Sequence, residues 1–469
     1  MPDKYHIHVA LTPGKFRRVG KYGSVDWRED CSRCTNCVKL RCPYEVYKHE
    51  TAANRDPGAP VETHYECKAC LSCVQGCTKG LLAIGVNPEF LAMGDAYWKP
   101  ETIATTWNQA DNGRIPVSGA GYRGRFSGPG FDSIWTDMSE IVRPTRDGIH
   151  GREYISTMVD IGVKPMRLSF SADGAMTCPG ASLIEIQMPA LLDIPPWPMP
   201  GITLSLARAA AAKKLHTLAV IPAAHVGDVP AEQLPFIVPL VSEATLAACQ
   251  QALPRVSMVE LTGPGDMEAL AGQILALNPL AVLVLRMDLT PEAAERVAEL
   301  AGGRFKVFHL CADLHGCEKL ADGAPGRHLK DVLREVHGRL VKDGRRDEIT
   351  LIAGGGIALA EHMAKAIICG ADLVAVNVPL LVGLGCRVCR TVGTCGTCPP
   401  GACPAGLESI DLPYAVQRMV NLMGAWHSQL IEVLGAMGIR EIRRLRGEMG
   451  RAMFLEDIEK EAFGDLVRK

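Results

Sequence analysis

The chain has 469 residues, a formal net charge of −2 and a sequence pI of about 6.7. This near-neutral balance, without a long basic run, gives no indication of binding to nucleic acid or to an anionic membrane surface. No apolar stretch reaches the roughly eighteen residues of a membrane span, so we expect no membrane insertion. The residues after Met1 do not form a secretory signal, so we expect a cytoplasmic protein, and the length predicts roughly two to three domains.

The first predicted domain, residues 1–90, is built around eight cysteines. They form two runs, Cys31-x2-Cys34-x2-Cys37-x4-Cys42-Pro43 and Cys67-x2-Cys70-x2-Cys73-x3-Cys77. Each iron of a cubane cluster binds a thiolate, and gaps of two residues let one tight loop supply three of them. The runs therefore predict a ferredoxin-like domain with two [4Fe–4S] clusters.

The fourth cysteine of each run predicts how the clusters are held, because in two-cluster ferredoxins it binds the cluster of the other run. On that pattern the two ligand sets are Cys31, Cys34, Cys37 and Cys77 for one cluster, and Cys67, Cys70, Cys73 and Cys42 for the other. Zinc and disulfides are weaker alternatives. Zinc sites usually combine two cysteine pairs or mix cysteine with histidine, and disulfides need an oxidising compartment.

Residues 91–165 are rich in Gly, Trp, Arg and Asp and show little periodicity. We expect them to form an irregular arm that wraps the next domain. A disordered linker is the alternative, but disordered segments contain few aromatic residues. Here the aromatic residues include Trp98, Trp107, Phe126, Phe131, Trp135 and Tyr154.

In residues 166–405, short aliphatic runs alternate with helical patterns. Continuous apolar strands separated by helices indicate parallel βα units, and about eight of them predict a (β/α)8 TIM-type barrel, with an open doubly wound sheet as the alternative. The predicted strands are Met166–Phe170, Leu183–Gln187, Thr217–Ile221, Phe236–Leu240, Ser257–Leu261, Ala281–Leu285, Lys306–Leu310, Ile349–Ala353 and Leu373–Asn377. The clearest predicted helices are Pro291–Ala301, His328–Asp343 and Leu359–Gly370.

A glycine run, Gly354-Gly355-Gly356, follows the penultimate predicted strand and precedes a helix. Glycines after a strand let backbone N–H groups approach an anion at a helix N-terminus. In barrels such a phosphate site is commonly built by the loops after the last two strands. The run, with Gly370 and Asn377 of the next βα unit, therefore predicts an FMN phosphate site; a tight turn is the other interpretation.

A second group of cysteines, residues 386–403, follows directly. Its pattern is Cys386-x2-Cys389-x5-Cys395-x2-Cys398-x4-Cys403-Pro404. Five cysteines with Gly and Pro between them favour a loop that holds a third iron–sulfur cluster. Zinc is the alternative, because the first four also form two CxxC pairs.

Residues 406–469 have helical spacing of Leu, Met, Ile and Trp. The pattern predicts a C-terminal helical extension with helices at Tyr414–Gly435 and Arg440–Arg451.

Five segments together resemble the synthase domain of archaeal-type glutamate synthases, which carry an N-terminal two-cluster ferredoxin. They are WTDMSEIVRPTRDGIHGREYIST (135–157), RDEITLIAGGGI (346–357), KAIICGADLVAVNVPLL (365–381), the cysteine loop ending Cys403-Pro-Ala-Gly406, and LGAMGIREIRRLRGEMGRAMF (434–454). The resemblance implies an FMN-containing barrel and a cysteine-ligated cluster near the flavin. That cluster has three irons in the family, and the extra cysteines here suit four at least as well.

Two loops depart from the family pattern. The resemblance implies glycine-rich loops of the type Asn-Thr-Gly-Glu-Gly-Gly and Asp-Gly-Gly-Thr-Gly near flavin and substrate. The corresponding stretches are Val220–Asp228 and Leu310–Gly316, which carry larger residues. Polar residues at strand ends are the candidates for catalysis, with Asp313 and His315 preferred over Arg286, Lys306 and His309.

Two functions remain open. One is an electron-transfer subunit that passes electrons through the ferredoxin-type clusters to a third cluster or FMN site within a larger redox complex. The other is an active glutamate synthase subunit that reductively aminates 2-oxoglutarate at FMN with ammonia supplied by a partner. Both require other redox subunits, such as a ferredoxin or a flavin- or NAD(P)H-oxidising chain, because no dinucleotide-binding fingerprint opens a βαβ unit here.

Overall fold

A computed structural model describes residues 5–16, 18–27, 30, 38–45, 67–115, 126–137, 155–163, 170–175, 183–197, 201–320, 324, 326–389 and 405–464. Within these ranges no helix is long and apolar enough to cross a membrane.

The N-terminal domain contains one antiparallel strand pair, formed by β1 (Tyr22–Trp27) and β2 (Leu82–Val86). Of two single-turn helices, α2 (Ser72–Gln75) contacts β2, and α1 (Val38–Arg41) contacts α2. The strands bring together the two ends of the segment, residues 28–81, whose sequence contains both cysteine runs.

The arm contains helices α3 (Pro88–Leu91) and α4 (Pro100–Asn112) and strands β3 (Ile134–Thr136) and β4 (Val159–Gly162). Asn87 caps α3 by accepting the N–H of Glu89, and proline at the first helical position is compatible with a helix start. The α4 helix packs on the C-terminal region of the chain.

Eight parallel strands close into a barrel. In chain order they are β6 (Ala190–Leu192), β7 (Ala219–Pro222), β8 (Ile237–Val241), β9 (Met258–Leu261), β10 (Val282–Asp288), β11 (Val307–Cys311), β12 (Thr350–Gly354) and β13 (Leu373–Val376). Each strand pairs with its neighbour in sequence, and β13 closes on β6. The predicted TIM-type barrel is confirmed, and the open doubly wound sheet is excluded.

The start of the barrel differs from the prediction. The predicted strand Leu183–Gln187 is strand β5 (Leu183–Ile186), but it pairs antiparallel with β4 outside the barrel. The first barrel strand is instead β6, and of the predicted strand Met166–Phe170 only Phe170 lies within the described residues.

The helices that alternate with the strands form the outer layer. They are α5 (Thr203–Leu215), α6 (Leu246–Cys249), α7 (Met267–Leu277), α8 (Ala293–Leu300), α9 (Leu329–Lys342), α10 (Ala360–Ile368) and α11 (Val378–Gly383). Their apolar faces and the strands form one continuous hydrophobic core.

The C-terminal region begins with α12 (Leu412–Ala436), which packs on α4, α5 and α10. Residues 440–451 do not form the predicted helix. They contain two short 3-10 turns, Ile442–Leu445 and Met449–Arg451. Glycines with positive φ at Gly438 and Gly447 break the pattern. Strand β14 (Ala452–Phe454), paired with β3, and α13 (Leu455–Phe463) follow.

Candidate functional site

Four cysteines of the N-terminal domain line one small cavity at the protein surface. Its lining residues are Cys42, Tyr44, Cys67, Lys68, Cys70, Leu71, Cys73 and Ile84. Cys42 comes from the first cysteine run and the other three from the second, so the structure brings together the crossed set predicted to hold the second cluster. No three His, Cys, Asp or Glu side chains in the described ranges converge closely enough to hold a single metal ion. The structure therefore places the four cysteines around one cavity without showing a preformed ligand geometry.

The loop between these cysteines has an unusual backbone. Ala69 and Leu71 have φ values of 52° and 63°, in the left-handed region, which turns the chain around the cavity. Hydrogen bonds with Ser72 lower the pKa of the Cys70 thiol, whereas burial raises the pKa of Cys73. A lowered pKa favours the thiolate, the form that binds iron.

Cys77 does not line this cavity. Its sulfur accepts the N–H of Leu81 at 3.4 Å, and that hydrogen bond lowers its pKa. The cysteines predicted to share the first cluster with it, Cys31, Cys34 and Cys37, lie outside the described residues.

Two cysteines of the C-terminal group, Cys386 and Cys389, lie within the described residues. Cys386 is buried, and its sulfur accepts the N–H of Val388 at 3.5 Å. Val388 has a φ of 48°, so this loop also turns through a left-handed residue. Cys395, Cys398 and Cys403 lie outside the described residues.

The N-terminal domain is joined to this loop through Arg387. Its guanidinium donates to Glu89 of α3 at 2.9 Å, and its carbonyl accepts the N–H of Gly94 at 3.0 Å. Helix α3 directly follows β2 of the cysteine domain. The segment that leaves the first cysteine domain therefore touches the residue between Cys386 and Cys389.

The same arm covers the mouth of the barrel at the ends of β11 and β12. The Tyr97 hydroxyl donates to the carbonyl of Gly356 at 2.5 Å, and the Trp98 indole N–H donates to that of Leu314 at 3.0 Å. Asp95 lies 2.9 Å from His315 Nε2, and this hydrogen bond raises the pKa of His315. The arm thus fixes both loops that follow these strands.

The glycine run is closely packed against the loop after β11. A side chain at Gly355 would lie 2.7 Å from the carbonyl oxygens of Ala312 and Asp313, and one at Gly356 would lie 2.5 Å from the Cα of Gly316. Gly355 and Gly356 also have φ values of 90° and 66°, which favour glycine. Glycine is therefore required here by packing as well as by backbone conformation.

The loop from the glycine run to α10 presents unpaired N–H groups. Helix α10 has no side-chain cap, and residues 354–361 are buried. The N–H groups of Gly356, Ile357, Leu359 and Ala360 donate to no acceptor in the part of the chain that the structure describes. Buried N–H groups at a helix N-terminus are suited to an anion, so these residues fit an FMN phosphate.

Of the other two residues predicted for this site, Gly370 lies apart from it. Gly370 is at the opposite end of the barrel, where its φ is 117° and a side chain would meet the ring of His337 at 2.4 Å. The Asn377 side chain caps α11 by accepting the N–H of Val378. The structure thus does not bring Gly370 together with the glycine run.

Four charged side chains fill the barrel interior. Arg286 holds Asp193 through two hydrogen bonds, at 3.0 and 3.1 Å, and donates to Glu260 Oε1 at 3.1 Å. The same Oε1 lies 2.7 Å from His309 Nδ1. Burial acts to lower the pKa of His309, but the neighbouring Cys311 and Glu260 outweigh it and raise the pKa to about 10. Two positive and two negative charges therefore balance.

The sequence singled out only part of this network. Arg286 and His309 were among its candidates, but Asp193 and Glu260 were missed. A signal was present, because Glu260 is a charged residue inside the otherwise apolar strand Met258–Leu261. Lys306 lies at the wrong end of the barrel, since it precedes β11 and donates to the carbonyl of Ala301.

The preferred catalytic candidates lie at the expected barrel end. Asp313 Oδ1 accepts the N–H groups of His315 and Cys317 at 2.9 and 2.7 Å. This carboxylate therefore stabilises the loop after β11. His315 is half-exposed, and its Nε2 is paired with Asp95, so each of the two side chains already has an intramolecular partner.

Comparisons with known proteins point to one family. The model of the conserved region in glutamate synthase matches residues 323–440, which include the glycine run, β13 and the whole of α12. An archaeal-type glutamate synthase (NADPH) of Dehalococcoides mccartyi is 22% identical, over 90% of this chain and 93% of its own length. An archaeal glutamate synthase (NADPH) of Methanocaldococcus jannaschii is 25% identical, over 92% of this chain and 94% of its own length. The chain is therefore similar to archaeal-type glutamate synthases along most of its length.

Among solved structures, the chain is similar to a flavocytochrome b2 variant with benzoylformate. The identity is 14% and the TM-score 0.41, over 69% of this chain and 81% of that one. A mandelate oxidase variant with 2-hydroxy-phenylacetamide gives 13% identity and a TM-score of 0.38 over 64% and 88%.

The two loops that depart from the family pattern are both ordered by local contacts. In the stretch Val220–Asp228, a 3-10 turn holds His225 with its Nδ1 2.8 Å from Ser205 Oγ. In the stretch Leu310–Gly316, the carboxylate of Asp313 organises the backbone. Relative to the glutamate synthase pattern, side chains here occupy space that glycines would leave open.

Proposed function

We propose that this protein is an electron-transfer subunit of a larger redox complex, built on the glutamate synthase scaffold. Electrons pass through two ferredoxin-type [4Fe–4S] clusters to a third iron–sulfur cluster and an FMN site. The observation that carries the proposal is the cavity lined by four cysteines from both N-terminal runs. Cys42 joins Cys67, Cys70 and Cys73 there, as the two-cluster ferredoxin pattern requires.

The second cluster lies where a partner protein can reach it. Cys70 is exposed, and Tyr44 and Leu71, which line the same cavity, are 54% and 44% exposed. Exposed apolar side chains around a redox centre suit a short-lived contact with another electron carrier. A ferredoxin or a flavin- or NAD(P)H-oxidising subunit would be a suitable electron carrier for this contact.

The route to the third cluster runs through the contact between the two cysteine regions. Arg387 stands between Cys386 and Cys389 and binds both Glu89 and the backbone of Gly94. This contact holds the outgoing segment of the ferredoxin-like domain against the third cysteine loop, so the two redox regions are neighbours in space.

FMN is the cofactor that the barrel would hold. Its phosphate would accept hydrogen bonds from the N–H groups of Gly356, Ile357, Leu359 and Ala360, with the dipole of α10 adding favourable potential. When bound, the flavin would exchange electrons with the third cluster. The Tyr97 hydroxyl, bonded to Gly356, would keep this loop in place.

The residues at the mouth of the barrel favour electron transfer over glutamate synthesis. Both glycine-rich loops of the family are replaced, and Asp313 and His315 already have intramolecular partners. The larger side chains of these two loops leave less room for a dicarboxylate substrate beside the flavin than the family's glycines would.

The proposal is tested by the cofactor content of protein purified without oxygen. We expect about twelve irons per chain, the sum for three four-iron clusters, together with FMN. Cys70→Ser should lose the iron and the electron paramagnetic resonance signal of one cluster. Cys317→Ser, which changes a cysteine outside all three groups, should keep every cluster. Equal iron content in the two variants, or one zinc in place of the third cluster, would contradict the assignment.

An active glutamate synthase subunit is the second candidate, because the unpaired N–H groups at α10 fit a flavin phosphate. The two functions separate in one assay: chemically reduced protein is mixed with 2-oxoglutarate and ammonia, and flavin reoxidation and glutamate are followed. Glutamate formation in proportion to the flavin oxidised would establish the synthase. We expect no glutamate, with reoxidation only by an electron carrier.

A further inference from the structure

A buried arginine at the mouth of the barrel has no ionic partner. The Arg208 side chain lies on α5 and is 3% exposed. Burial lowers its pKa to about 10, so it stays charged at neutral pH. It makes one hydrogen bond, to Ser205 Oγ at 3.3 Å, and its Nε has no partner within the described part of the chain. An unpaired buried charge is costly, and most of its five N–H donors are unused.

The nearest negative charge cannot serve as the partner. The field of Asp193 reaches Arg208, but both carboxylate oxygens of Asp193 are held by Arg286. The interior network of Asp193, Glu260, Arg286 and His309 is already neutral. The charge of Arg208 is therefore left over.

Three further groups converge on the same place. Helix α5, thirteen residues long, has no side-chain cap and no acidic residue in its first turn. The N–H groups of Thr203 and Leu204 donate to no acceptor among the residues that the structure describes. Ser205 Oγ bonds Arg208 and lies 2.8 Å from His225 Nδ1. A helix N-terminus, a hydroxyl, an imidazole and a guanidinium thus surround the start of α5, at the end of the barrel where ligands bind.

We infer that the start of α5 is a binding site for the carboxylate group of a small monocarboxylate, held by Arg208, Ser205 and the N–H groups of Thr203 and Leu204. The guanidinium of arginine and a carboxylate match in geometry, and the single negative charge of a monocarboxylate would neutralise the uncompensated positive charge of Arg208. A second negative charge would face Asp193, so a monoanion is preferred to phosphate or a dicarboxylate. This inference depends on neither the clusters nor FMN.

Thermal unfolding of the full-length protein tests the site, with acetate, succinate and phosphate compared at equal ionic strength. Acetate should raise the midpoint in a saturable way, because a ligand that binds the folded state stabilises it. Arg208→Met should abolish this shift without lowering the midpoint of the ligand-free protein, since it removes an uncompensated buried charge. Ser205→Ala should raise the apparent Kd about fivefold.

Two further variants keep the test decisive. Arg296→Met removes an exposed arginine from α8 and should retain the full acetate shift. Arg208→Lys keeps the positive charge and should retain a smaller acetate-induced shift of the unfolding midpoint. The inference is overturned if acetate, at concentrations up to about 100 times a millimolar Kd, does not shift the unfolding midpoint. It is also overturned if the shift survives Arg208→Met, or if succinate or phosphate stabilises the protein more than acetate does.

Discussion

Replacing Arg286 with methionine tests the interior network most directly. Arg286 compensates two buried carboxylates, those of Asp193 and Glu260, each with a side chain only 1% exposed. Removing one partner of a buried ion pair costs about 3–5 kcal/mol because the remaining charge is left uncompensated. We therefore expect Arg286→Met to lower the free energy of unfolding by about that amount at neutral pH.

The loss should depend on pH in a defined direction. Burial acts to raise the pKa of Asp193, but Arg286 and His309 hold it below its ordinary value. In the parent protein this carboxylate therefore contributes stability above the unfolded pKa of about 3.9 that is lost as pH falls through the lower folded pKa. Without Arg286, the larger of the two opposing charges is lost, and burial would raise the pKa of Asp193 against His309 alone. The variant would then lose stability as pH rises, so its deficit should be larger at pH 8 than at pH 5.

Urea unfolding at pH 5, 6.5 and 8, followed by circular dichroism, measures both effects. Arg443→Met is the matched control, because Arg443 bridges Asp160 and Glu185 at the surface and is 37% exposed. Such pairs are worth about 0–1 kcal/mol. Equal losses in the two variants, or a deficit for Arg286→Met that does not change with pH, would refute the assignment of a buried, ionised network.

The remaining predictions concern the glycine run and Tyr97, the arm residue that contacts it. Gly356→Ala should abolish FMN retention and lower stability, because the added carbon would lie 2.5 Å from the Cα of Gly316 at a φ of 66°; flavin fluorescence after gel filtration reports the first effect. Gly338→Ala, on α9 with open space around it, should leave flavin binding unchanged and stabilise the protein by about 0.5–1 kcal/mol. Tyr97→Phe removes the hydrogen bond to Gly356 and should cost about 1 kcal/mol in urea unfolding while the iron content stays constant.

The barrel was predictable because most of its strands are continuous apolar runs. Its first strand was not. Ala190–Leu192 has only three residues after a proline, too few to show a period. The apolar content of Leu183–Gln187 predicts a barrel strand, yet the alternation of apolar and polar residues in Ile184–Gln187 is typical of a strand with one exposed face. In the structure Leu183 and Glu185 of this antiparallel strand are largely exposed or paired at the surface.

The candidate site likewise contains residues that the sequence predicts and residues that only the fold reveals. Cysteine spacing alone grouped Cys42 with the second run, because cluster ligation is encoded in the order of the cysteines. Interior residues such as Asp193 and Arg208 are single charges in apolar surroundings, and only the closed barrel shows that one is paired and the other is not. Gly370 was misplaced because a glycine after a helix looks the same at either end of a barrel.

The charged interior network is not what we expect of a barrel that has only a structural role. Replacing a whole buried ionic network by apolar residues of similar volume is often neutral or stabilising by about 1–4 kcal/mol, whereas breaking it is costly. A barrel that served only to carry clusters would gain from an apolar interior, yet here His309 lies directly below the glycine run, 2.5 Å from the position of a side chain on Gly354. We therefore expect joint apolar replacement of Asp193, Glu260, Arg286 and His309 to preserve or raise the unfolding midpoint and to leave iron content unchanged, but to abolish FMN retention. Retention of FMN in that variant would separate the network from the flavin site and leave it a role in folding alone.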